Sequence, residues 1–509
     1  MPNLVDLVGI NANRVPHRDA VIDGPDRLSW SALDIEVGRY ATTLSHAGLR
    51  RGDRVAIVSS NSMKCLMVLL GALRAGAVIV PLSVRLAKPE MARVLADCDP
   101  RLVVADPSMV DAVGAAAGAR KVFALGAALG YVDLSAEAAS AAVMAPSEIA
   151  ESDDAMILYT SGTTGSPKGV VHTHHSSIWA GLTLTVTTSL RDGERVLHVA
   201  PFHHAGGIVF LTAVTLLGGT HVIARGFDAA AVIRDVAQYG VTCAFTVPTV
   251  LQMLLRRLFA EDAGVDLTSW TRAIVGGAAV SERTLRDLFT RLPDVRVTQM
   301  CGQTESGPAG IYSTHEQITD RPSATGHQAQ PFLRVRVVDL DGADVPRGGI
   351  GELLLSGKTI MRCYWRRPAE TAEAVRDGWL HTGDLVRVEE DGSFTLVDRL
   401  KDMIISGGRN VYSVEVEQAV AGHPDVLECA VLARPHELWG ESIVAVAALK
   451  PGRQMTLAGL REFCAPLIAD YKIPHDLIVT EIPHNANGKI DKAALRRAYG
   501  DGRALELSP

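Results

Sequence analysis

Apolar residues in this chain fall mostly into short β-branched runs that are separated by longer segments of mixed polarity. Residues 55–58 and 78–81 are two such runs, and both have the length and composition of buried strands. Between them, residues 61–74 have the pattern of a helix, and Asn61 stands where an N-cap residue is expected. Residues 101–104 predict the strand that ends the next such unit. Strands that alternate with helices are typical of a parallel sheet covered by helices on both faces.

The same alternation continues after residue 165 and then changes character twice. From residue 332 the pattern becomes β-rich with glycine turns, and after residue 399 it becomes a compact mixture of helices and strands. The Ala-rich segment 110–145 carries weak signals and is interpreted as a helix pair or a loop. The strands predicted after residue 165 are 196–200, 221–224, 243–247 and 272–275, and the helices are 229–238 and 249–259.

These patterns predict an α/β protein of two domains. A chain of 509 residues is longer than one hydrophobic core usually supports. We expect a large N-terminal domain, residues 1–399, with parallel-rich sheets flanked by helices and a β-rich subdomain. We expect a small, mobile α+β domain over residues 400–509. Its predicted helices are 415–421, 456–466 and 492–499, and its predicted strands are 427–432 and 443–449.

Composition and charge narrow the class of protein. With 47% hydrophobic and 21% charged residues, the chain has an ordinary globular composition. Its net charge of −7 argues against nucleic-acid binding, which needs a basic face. Its seven cysteines show no C-x-x-C spacing, which predicts reduced core thiols of a cytoplasmic protein. The uncharged stretch 205–224 contains four glycines and a histidine, so it indicates a buried helix and strand rather than a transmembrane segment.

The N-terminus lacks the basic and apolar regions of a signal peptide, which also predicts a cytoplasmic location. Arginine pairs occur at scattered places along the chain. A peripheral membrane contact assembled from them is left open, as is the oligomeric state.

One polar stretch follows an apolar, strand-like run at residues 155–158. It reads Tyr-Thr-Ser-Gly-Thr-Thr-Gly-Ser-Pro-Lys-Gly from Tyr159 to Gly169. Glycines let backbone N–H groups turn toward one point, hydroxyls add donors and a lysine adds positive charge, which is the chemistry of a phosphate cradle. The Walker A pattern does not fit, since Pro167 stands directly before Lys168. Taken alone, such a loop is also compatible with a flexible connection.

The order T-S-G-T-T-G-x-P-K-G closely resembles the phosphate loop of the adenylate-forming superfamily of acyl-CoA synthetases, luciferases and peptide-synthetase adenylation domains. Further motifs of that superfamily recur in the family's order over nearly the whole chain, which is most similar to bacterial fatty-acid or aryl-acid CoA ligases. The resemblance implies the cofactors ATP, Mg²⁺ and CoA, a small carboxylic acid as substrate, and no nucleic acid. It implies ATP phosphate contacts from Thr160, Ser161, Gly162, Thr163, Thr164 and Lys168.

The resemblance also implies nucleotide contacts outside that loop. Residues 299–305 resemble the family segment in which a threonine contacts the α-phosphate and a glutamate holds Mg²⁺, which makes Thr304 and Glu305 candidate catalytic residues. At the family's adenine-stacking tyrosine this chain has Cys301, which removes flat stacking area. The other implied adenine and ribose contacts are Gly277, Ala278, Ala279, Asp384 and Arg399.

His203, in the segment Pro-Phe-His-His-Ala-Gly-Gly, aligns with the family position that lies beside the carboxylic acid. A histidine in apolar surroundings is more often a core residue, so the motif carries this assignment. Relatives that act on amino acids carry an aspartate near this segment, whereas residues 202–210 contain no carboxylate. We therefore expect an aryl or aliphatic acid in an apolar pocket. The His-Thr-His-His run at residues 172–175 is interpreted as solvated or structural rather than metal-binding.

The remaining motifs lie near and after residue 400, and the resemblance implies a moving domain there. Lys401 occupies the family's hinge position, and Lys489, in a Pro-x-x-x-x-Gly-Lys motif, aligns with the catalytic lysine of adenylation. A positioned ammonium lowers that barrier because charge builds on the equatorial phosphate oxygens. Family members commonly have proline where Ser413 stands and glutamate at position 409. The residues implied in CoA binding are Gly407, Gly408, Arg409 and Trp439, the last of which is equally compatible with an ordinary exposed loop.

The leading hypothesis is an acid–CoA ligase, an AMP-forming acid–thiol ligase that makes acyl-AMP and then the thioester. A second hypothesis is an acid–AMP ligase that loads a carrier protein, because a carrier's pantetheine uses the same channel as CoA. A third is a non-catalytic nucleotide-binding relative. The intact residues that count against the third are Lys168, Glu305, Asp384, Arg399 and Lys489.

Overall fold

The computed structural model of the chain describes residues 3–146, 148–160, 167–260, 264–278, 280–484 and 490–500. Helices and strands alternate through the first two thirds of that range, as the hydrophobic pattern predicts. The α-helices are α1 (Asp6–Arg14), α2 (Trp30–His46), α3 (Met63–Arg74), α4 (Lys88–Cys98), α5 (Val110–Ala117), α6 (Leu134–Ala139), α7 (His174–Thr188), α8 (Ala205–Leu217), α9 (Ala229–Tyr239), α10 (Pro248–Ala260), α11 (Glu282–Arg291), α12 (His315–Asp320), α13 (Pro368–Ala374), α14 (Ser413–Ala421), α15 (Leu457–Cys464) and α16 (Lys492–Tyr499).

The strands group into four sheets. In chain order they are β1 (Asp19–Asp23), β2 (Asp26–Ser29), β3 (Arg54–Val58), β4 (Val78–Leu82), β5 (Leu102–Ala105), β6 (Lys121–Ala124), β7 (Val132–Asp133), β8 (Asp154–Thr160), β9 (Lys168–Thr173), β10 (Arg195–His198), β11 (Thr220–Ile223), β12 (Cys243–Thr246), β13 (Arg272–Gly276), β14 (Arg296–Gly302), β15 (Gly310–Ser313), β16 (Gln328–Ala329), β17 (Leu333–Val338), β18 (Ile350–Gly357), β19 (Cys363–Tyr364), β20 (Val375–Arg376), β21 (Trp379–Val388), β22 (Phe394–Arg399), β23 (Ile404–Ser406), β24 (Arg409–Val411), β25 (Val426–His436), β26 (Gly440–Leu449) and β27 (Asp476–Val479).

Two large sheets position the candidate site. Sheet 1 has nine strands in the order β16-β15-β14-β13-β12-β10-β11-β1-β2, and sheet 2 has eight in the order β19-β9-β8-β4-β3-β5-β6-β7. The inner strands of both are parallel, from β14 to β1 in sheet 1 and from β8 to β7 in sheet 2. The antiparallel strands lie at the edges. Strands β2, β9 and β15 each pair with the strand directly before them in the chain, whereas β16 follows β15 after α12 and β19 pairs with the distant β9.

Helix α3 is buried between the two sheets. Every residue from Cys65 to Arg74 is buried, because this helix is apolar on nearly all sides and packs in the core shared by strands of both sheets. Its one buried charge, Arg74, is paired with Asp34 and also donates to the Asp34 backbone carbonyl at 2.9 Å. A paired and hydrogen-bonded guanidinium is tolerated in such a core.

Two local predictions in this region are corrected by the structure. Asn61 is not the N-cap of α3, because the hydroxyl of Ser62 accepts the hydrogen bond from the Cys65 N–H at 3.0 Å. The segment 110–145 is neither a helix pair nor a loop throughout, since β6 and β7 lie between α5 and α6 and extend sheet 2. Short strands bounded by weak turn signals escape a periodicity argument.

The rest of the chain forms two smaller sheets. Sheet 3 has the order β17-β18-β21-β20, with β22 paired to β21, and sheet 4 has the order β24-β23-β26-β25, with β27 paired to β26. Sheet 4 and helices α14–α16 enclose cores made only of residues from 404 onward. The predicted fold class, an α/β protein with a β-rich part and a small α+β part, is confirmed. No helix in the described ranges has both the length and the apolar character needed to cross a bilayer.

Candidate active site

The predicted phosphate loop connects two antiparallel strands at the edge of sheet 2. Thr160 ends β8 and is the cross-strand partner of Lys168, which begins β9. The loop residues Ser161, Gly162, Thr163 and Thr164 lie outside the described residues. Gly169 is required by close packing, since a Cβ there would lie 2.6 Å from Ile157 Cγ2.

Lys168 and Glu305 both contact one tyrosine, Tyr364. Glu305 is in a single 3₁₀ turn, Thr304–Ser306, directly after β14. The Tyr364 hydroxyl donates a hydrogen bond to Glu305 Oε1 at 2.8 Å, and Lys168 Nζ lies 5.0 Å from the centre of the Tyr364 ring. Burial, together with the Glu305 charge, raises the pKa of Tyr364 well above its usual value, so the phenol stays a donor. The structure therefore brings the predicted phosphate cation and metal carboxylate to one place.

His172 fixes the backbone of this turn from the other side. Its Nε2 lies 2.8 Å from the Thr304 carbonyl oxygen, and its Nδ1 lies 3.2 Å from Ser176 Oγ. Burial lowers the pKa of His172 to about 4, so the ring is neutral. A carbonyl only accepts, so Nε2 donates and Nδ1 accepts. His172 is thus a structural link between β9 and Thr304, and no metal-binding cluster of His, Cys, Asp and Glu occurs among the described residues.

The two predicted ribose residues are neighbours on sheet 3. Asp384 on β21 and Arg399 on β22 are cross-strand partners, and Arg399 Nε lies 2.8 Å from Asp384 Oδ1. The Asp384 N–H donates to Thr382 Oγ1 at 3.0 Å, which orients the start of the carboxylate side chain. Asp384 is buried, whereas the Arg399 side chain is 48% exposed, so the guanidinium faces solvent with the carboxylate beneath it.

The predicted adenine residues lie at the carboxyl ends of two adjacent strands. Gly276 ends β13 and pairs with Met300 of β14, and Gly277 follows with a φ of +81°. Gly277 and Ala278 are exposed, and Cys301 on β14 is half-buried. Ala279 lies outside the described residues. The carboxyl edge of a parallel sheet is where α/β proteins commonly bind ligands.

His203 lies between β10 and α8, beside the ring of His204 at a centroid distance of 4.3 Å. Burial, with smaller contributions from His204 and Arg85, lowers the pKa of His203 to about 3, so its imidazole is neutral at physiological pH. The imidazole therefore adds no charge to this segment.

Asn61 holds the backbone of the segment that carries His203. Its Nδ2 donates to the carbonyl oxygens of His198 at 3.2 Å and Ala200 at 2.9 Å. Its Oδ1 accepts from the Phe202 N–H at 2.9 Å. Asn61 is buried, with 7% of its surface exposed, and its three hydrogen bonds fix the backbone of this segment.

The ring of Phe245, on β12 of sheet 1, packs against α8, the helix that follows the His203 segment. A Cβ on Gly206 of α8 would lie 2.6 Å from Phe245 Cε1, and a Cβ on Gly276 would lie 3.2 Å from Phe245 Cε2. On its other side the ring stacks on Phe210 at 5.2 Å. Glycine at both positions allows this aromatic side chain to fit between α8 and the end of β13.

Beyond β22, the predicted CoA residues lie on two adjacent loops of sheet 4. Gly407 and Gly408 form the two-residue turn between β23 and β24, with φ angles of +58° and +75°. A Cβ on either would meet nothing within 4 Å, so backbone conformation rather than crowding favours glycine here. The Gly407 N–H donates to the Trp439 carbonyl oxygen at 2.9 Å, which joins this turn to the second loop.

Trp439 is the middle ring of a three-ring stack. Its ring lies 4.3 Å from His436 and 4.1 Å from His475, at interplanar angles of 15° and 24°. Both faces of the indole are therefore covered, which leaves its edge toward solvent. The Arg409 guanidinium lies 4.8 Å from the centre of the Tyr471 ring.

The hinge candidate Lys401 is exposed in a turn between two anchoring contacts. Before it, buried Asp398 accepts hydrogen bonds from the N–H and the hydroxyl of Ser413. After it, Asp402 is paired with Arg496 of α16. The Ser413 contact needs a backbone N–H, which the family's proline lacks. Lys489 lies outside the described residues.

Comparison with known proteins decides the family. The family model for the AMP-binding enzyme matches residues 10–365, and the model for the AMP-binding enzyme C-terminal domain matches residues 415–489. The chain belongs to the AMP-binding enzyme family. The superfamily expected from the motifs is thereby confirmed.

Relatives of this AMP-binding enzyme include ligases for different acids and acceptors. It is 37% identical to feruloyl-CoA synthase of Amycolatopsis sp. over 495 residues, 96% of this chain and 97% of the relative. It is 33% identical to the fatty acid–[acyl-carrier-protein] ligase ScoC of Streptomyces coeruleorubidus over 521 residues, 98% of this chain and 97% of the relative. Among solved structures, it resembles o-succinylbenzoate CoA synthetase (MenE) of Bacillus subtilis in complex with the acyl-adenylate intermediate OSB-AMP. That match has a TM-score of 0.87 at 25% identity and covers 100% of this chain and 99% of the other.

Three contacts in this AMP-binding enzyme were not expected from the sequence: the Tyr364 hydrogen bond to Glu305, the Asn61 hydrogen bonds to the His203 segment and the packing of Phe245 against Gly206 and Gly276. Asn61 had a different predicted role, and Tyr364 lies in a short polar segment without strand or helix periodicity. A signal for Tyr364 was present in the aromatic pair that it forms with Trp365 among arginines. Adjacent aromatic residues within a charged segment are unusual enough to examine as site candidates.

Proposed function

We propose that this AMP-binding enzyme is an ATP-dependent acid–CoA ligase that works in two steps. In the first, a carboxylate oxygen of the acid attacks the α-phosphorus of ATP, which forms acyl-AMP and releases pyrophosphate. In the second, the CoA sulfur attacks the acyl carbon, which forms the thioester and releases AMP. The observation that carries the proposal is the convergence of Lys168 and Glu305 on Tyr364. It brings a phosphate-binding cation and a carboxylate suited to a metal to one place.

Glu305 fits a magnesium ion by its chemistry. One carboxylate oxygen is held by Tyr364, and within the described part of the chain the other accepts no hydrogen bond. Carboxylate oxygens are the ligands that Mg²⁺ prefers beside nucleotide phosphates. When bound, the ion supplies positive charge that offsets the charge on those phosphates. Lys168 at the start of β9 and Thr304 at the 3₁₀ turn bind phosphate oxygens from the protein side, together with Thr160 and the loop that follows it.

The nucleoside is held by residues of two sheets. The Asp384 carboxylate accepts hydrogen bonds from the ribose hydroxyls. Arg399, which is paired with that carboxylate, adds hydrogen-bond donors beside it. Gly277 and Ala278 lie along the adenine, and Ala279 belongs to the same group. Cys301 contacts the base with a polarizable sulfur in place of an aromatic ring.

The acid is aryl or aliphatic rather than an amino acid. Desolvation lowers the pKa of half-buried His203 and keeps it neutral, and the nearby Phe245 ring adds apolar surface. Residues 202–210 contain no carboxylate that could pair with a substrate ammonium. A buried ammonium without a partner is costly, so the segment disfavours amino acids. The similarity to a feruloyl-CoA synthase and to a fatty-acid ligase supports both acid classes.

The two half-reactions use one site in two arrangements. We infer a division into residues 1–399 and 400–509, with Lys401 as the hinge between them. In the first arrangement Lys489 stabilises charge at the α-phosphate, and in the second Gly407, Gly408, Arg409 and Trp439 lie along CoA. The exposed, open turn at Gly407 and Gly408 supports this, because a pantetheine arm needs close access to backbone. A cytoplasmic location is part of the proposal, supported by seven cysteines that form no disulfide bond with one another.

A carrier protein in place of CoA is the second candidate acceptor. The similarity to a fatty acid–[acyl-carrier-protein] ligase favours it. Fatty, benzoic, cinnamic and amino acids should be tested for pyrophosphate release, and acyl-AMP and thioester measured separately with CoA, with a holo-carrier protein and with neither. We expect acyl-AMP without an acceptor and acyl-CoA on addition of CoA. Thioester formation only with the carrier would select the second candidate, and no acyl-AMP from any acid would contradict both.

A further inference from the structure

Tyr364 contacts two groups of opposite charge with two different parts of its side chain. Its hydroxyl donates to Glu305 Oε1 at 2.8 Å, and the Lys168 ammonium lies 5.0 Å from its ring centre. Within the described residues, neither Lys168 nor Glu305 forms an ion pair. Both groups therefore contact the same phenol instead of each other.

The position of the Tyr364 backbone is fixed by several contacts. Strand β19 pairs with β9, where Tyr364 lies opposite Val170. The Tyr364 N–H donates to Thr371 Oγ1 at 2.9 Å. Two residues along the same segment tie it to both charged neighbourhoods: the Met361 N–H donates to the Glu305 carbonyl at 2.8 Å, and the Trp365 N–H donates to the Gly169 carbonyl at 2.7 Å. The ring is thus presented from a rigid edge strand rather than a free loop.

A lysine and a glutamate that are close together attract each other strongly where water is partly excluded. Such a pair would occupy the groups that have to bind phosphate and metal. A hydrogen bond to the carboxylate and a cation–π contact to the ammonium satisfy each group separately. Each contact uses only part of its group, since one carboxylate oxygen and most of the ammonium stay accessible.

We propose that Tyr364 is a positioning residue that holds Glu305 and Lys168 apart and open for Mg²⁺-bound ATP. The proposal rests on the proposed function, because it concerns how the same site is kept ready for its nucleotide. The two parts of the side chain have different roles: the hydroxyl orients Glu305, and the ring positions Lys168.

The test is calorimetric binding of ATP to the full chain, with excess Mg²⁺ and, separately, with EDTA. Tyr364→Phe removes only the hydroxyl, so MgATP should bind about 10-fold more weakly, as expected for one hydrogen bond to a charged acceptor. Binding of metal-free ATP should stay within about 2-fold, because the phenyl ring still holds Lys168. Tyr364→Leu should weaken both forms. Tyr40→Phe is the matched control, since it removes a phenol whose hydroxyl donates to Ser135 Oγ at 3.0 Å in the core near α6, and neither affinity should change.

A double-mutant cycle with Glu305→Gln separates this role from a general loss of structure. If Tyr364 acts through the carboxylate, adding Tyr364→Phe to Glu305→Gln should cost no further MgATP affinity. Additive losses would overturn the proposal, as would Tyr364→Phe binding MgATP like the parent or losing metal-free ATP equally. If Tyr364→Phe does not fold, Tyr364→Leu in the Glu305→Gln background decides, since only the contact of the ring with Lys168 is then lost and the proposal requires MgATP and metal-free ATP to weaken by the same factor. A parent chain that binds neither form of ATP would instead contradict the proposed function.

Discussion

Replacing Asn61 with alanine should impair catalysis with the acid while leaving the binding of ATP nearly unchanged. Asn61 uses both amide hydrogens and its carbonyl oxygen on the backbone of the segment before His203. Alanine removes all three hydrogen bonds and leaves the His198 carbonyl and the Phe202 N–H without this partner. The segment is then free to shift, and His203 moves with it.

The size of the effect follows from these contacts. Each hydrogen bond contributes about 1 kcal/mol net, so the loss of three should lower the free energy of unfolding by roughly 2–4 kcal/mol. A shift of about 1 Å in a substrate-positioning group can cost on the order of 100-fold in rate, so we expect kcat/KM for the acid to fall by about 10- to 100-fold. KM for ATP should stay within about 2-fold, because the hydrogen bonds of Asn61 go to residues 198, 200 and 202 and to none of the candidate nucleotide residues that the structure describes.

The assay is pyrophosphate release at varied acid and at varied ATP, with urea unfolding of the same samples. Asn11→Ala is the matched control. Asn11 is 2% exposed, and its Nδ2 donates to the Thr215 carbonyl at 2.6 Å, at the opposite end of α8 from His203. It should lose stability without changing kcat/KM for the acid. Equal effects of the two variants on the acid, or an equal rise in KM for acid and ATP in Asn61→Ala, would refute the reasoning.

Three further outcomes are expected. Lys489→Ala should lose acyl-AMP formation by roughly 100- to 1,000-fold but keep thioester formation from supplied acyl-AMP, and equal loss in both half-reactions would contradict its role. Lys401→Pro should keep much of its acyl-AMP formation and lose thioester formation in single turnovers, because proline fixes φ, whereas Lys401→Ala should resemble the parent; identical behaviour of the two would argue against a hinge. Burial lowers the pKa of His172 to about 4 and of His198 to about 3, so the unfolded chain binds more protons below its histidine pKa of about 6.5. The free energy of unfolding should therefore fall as pH drops from about 6.5 toward 4, by up to ~1.4 kcal/mol per pH unit for each histidine. In urea unfolding at several pH values, His198→Asn should reduce that slope, and an unchanged slope would contradict the burial argument.

Hydrophobic periodicity was enough to predict the central architecture. Runs such as 243–247 and 272–275 are buried parallel strands, and the helical pattern at 229–238 lies within α9. Such elements are read from neighbours in sequence, because strand and helix periodicities are local. Asp384 and Arg399 were expected at one site from the resemblance of their motifs, not from periodicity. The structure places them as cross-strand partners.

The contacts that escaped prediction join residues far apart in sequence. The Tyr364–Glu305 bond spans 59 residues, and the Asn61–Phe202 bond spans 141. Asn61 was interpreted by the local rule for helix starts, but Ser62 satisfies that rule and leaves the Asn61 amide for a distant backbone. Local propensity cannot rank two adjacent capping residues when tertiary contacts decide between them.

The pairing of β19 with β9 also has a consequence for how the chain folds during its synthesis. Strand β9 is complete at Thr173, but the residues that cover its outer edge, Cys363 and Tyr364, are made nearly two hundred residues later. At ribosomal rates of about 5–20 residues per second, that edge stays open for roughly 10–40 s. An uncovered strand edge is a template for pairing with other chains, so nascent chains of this protein should need chaperone protection over that interval. Fragments that end before residue 363 should aggregate, whereas fragments that include α13 should be more soluble.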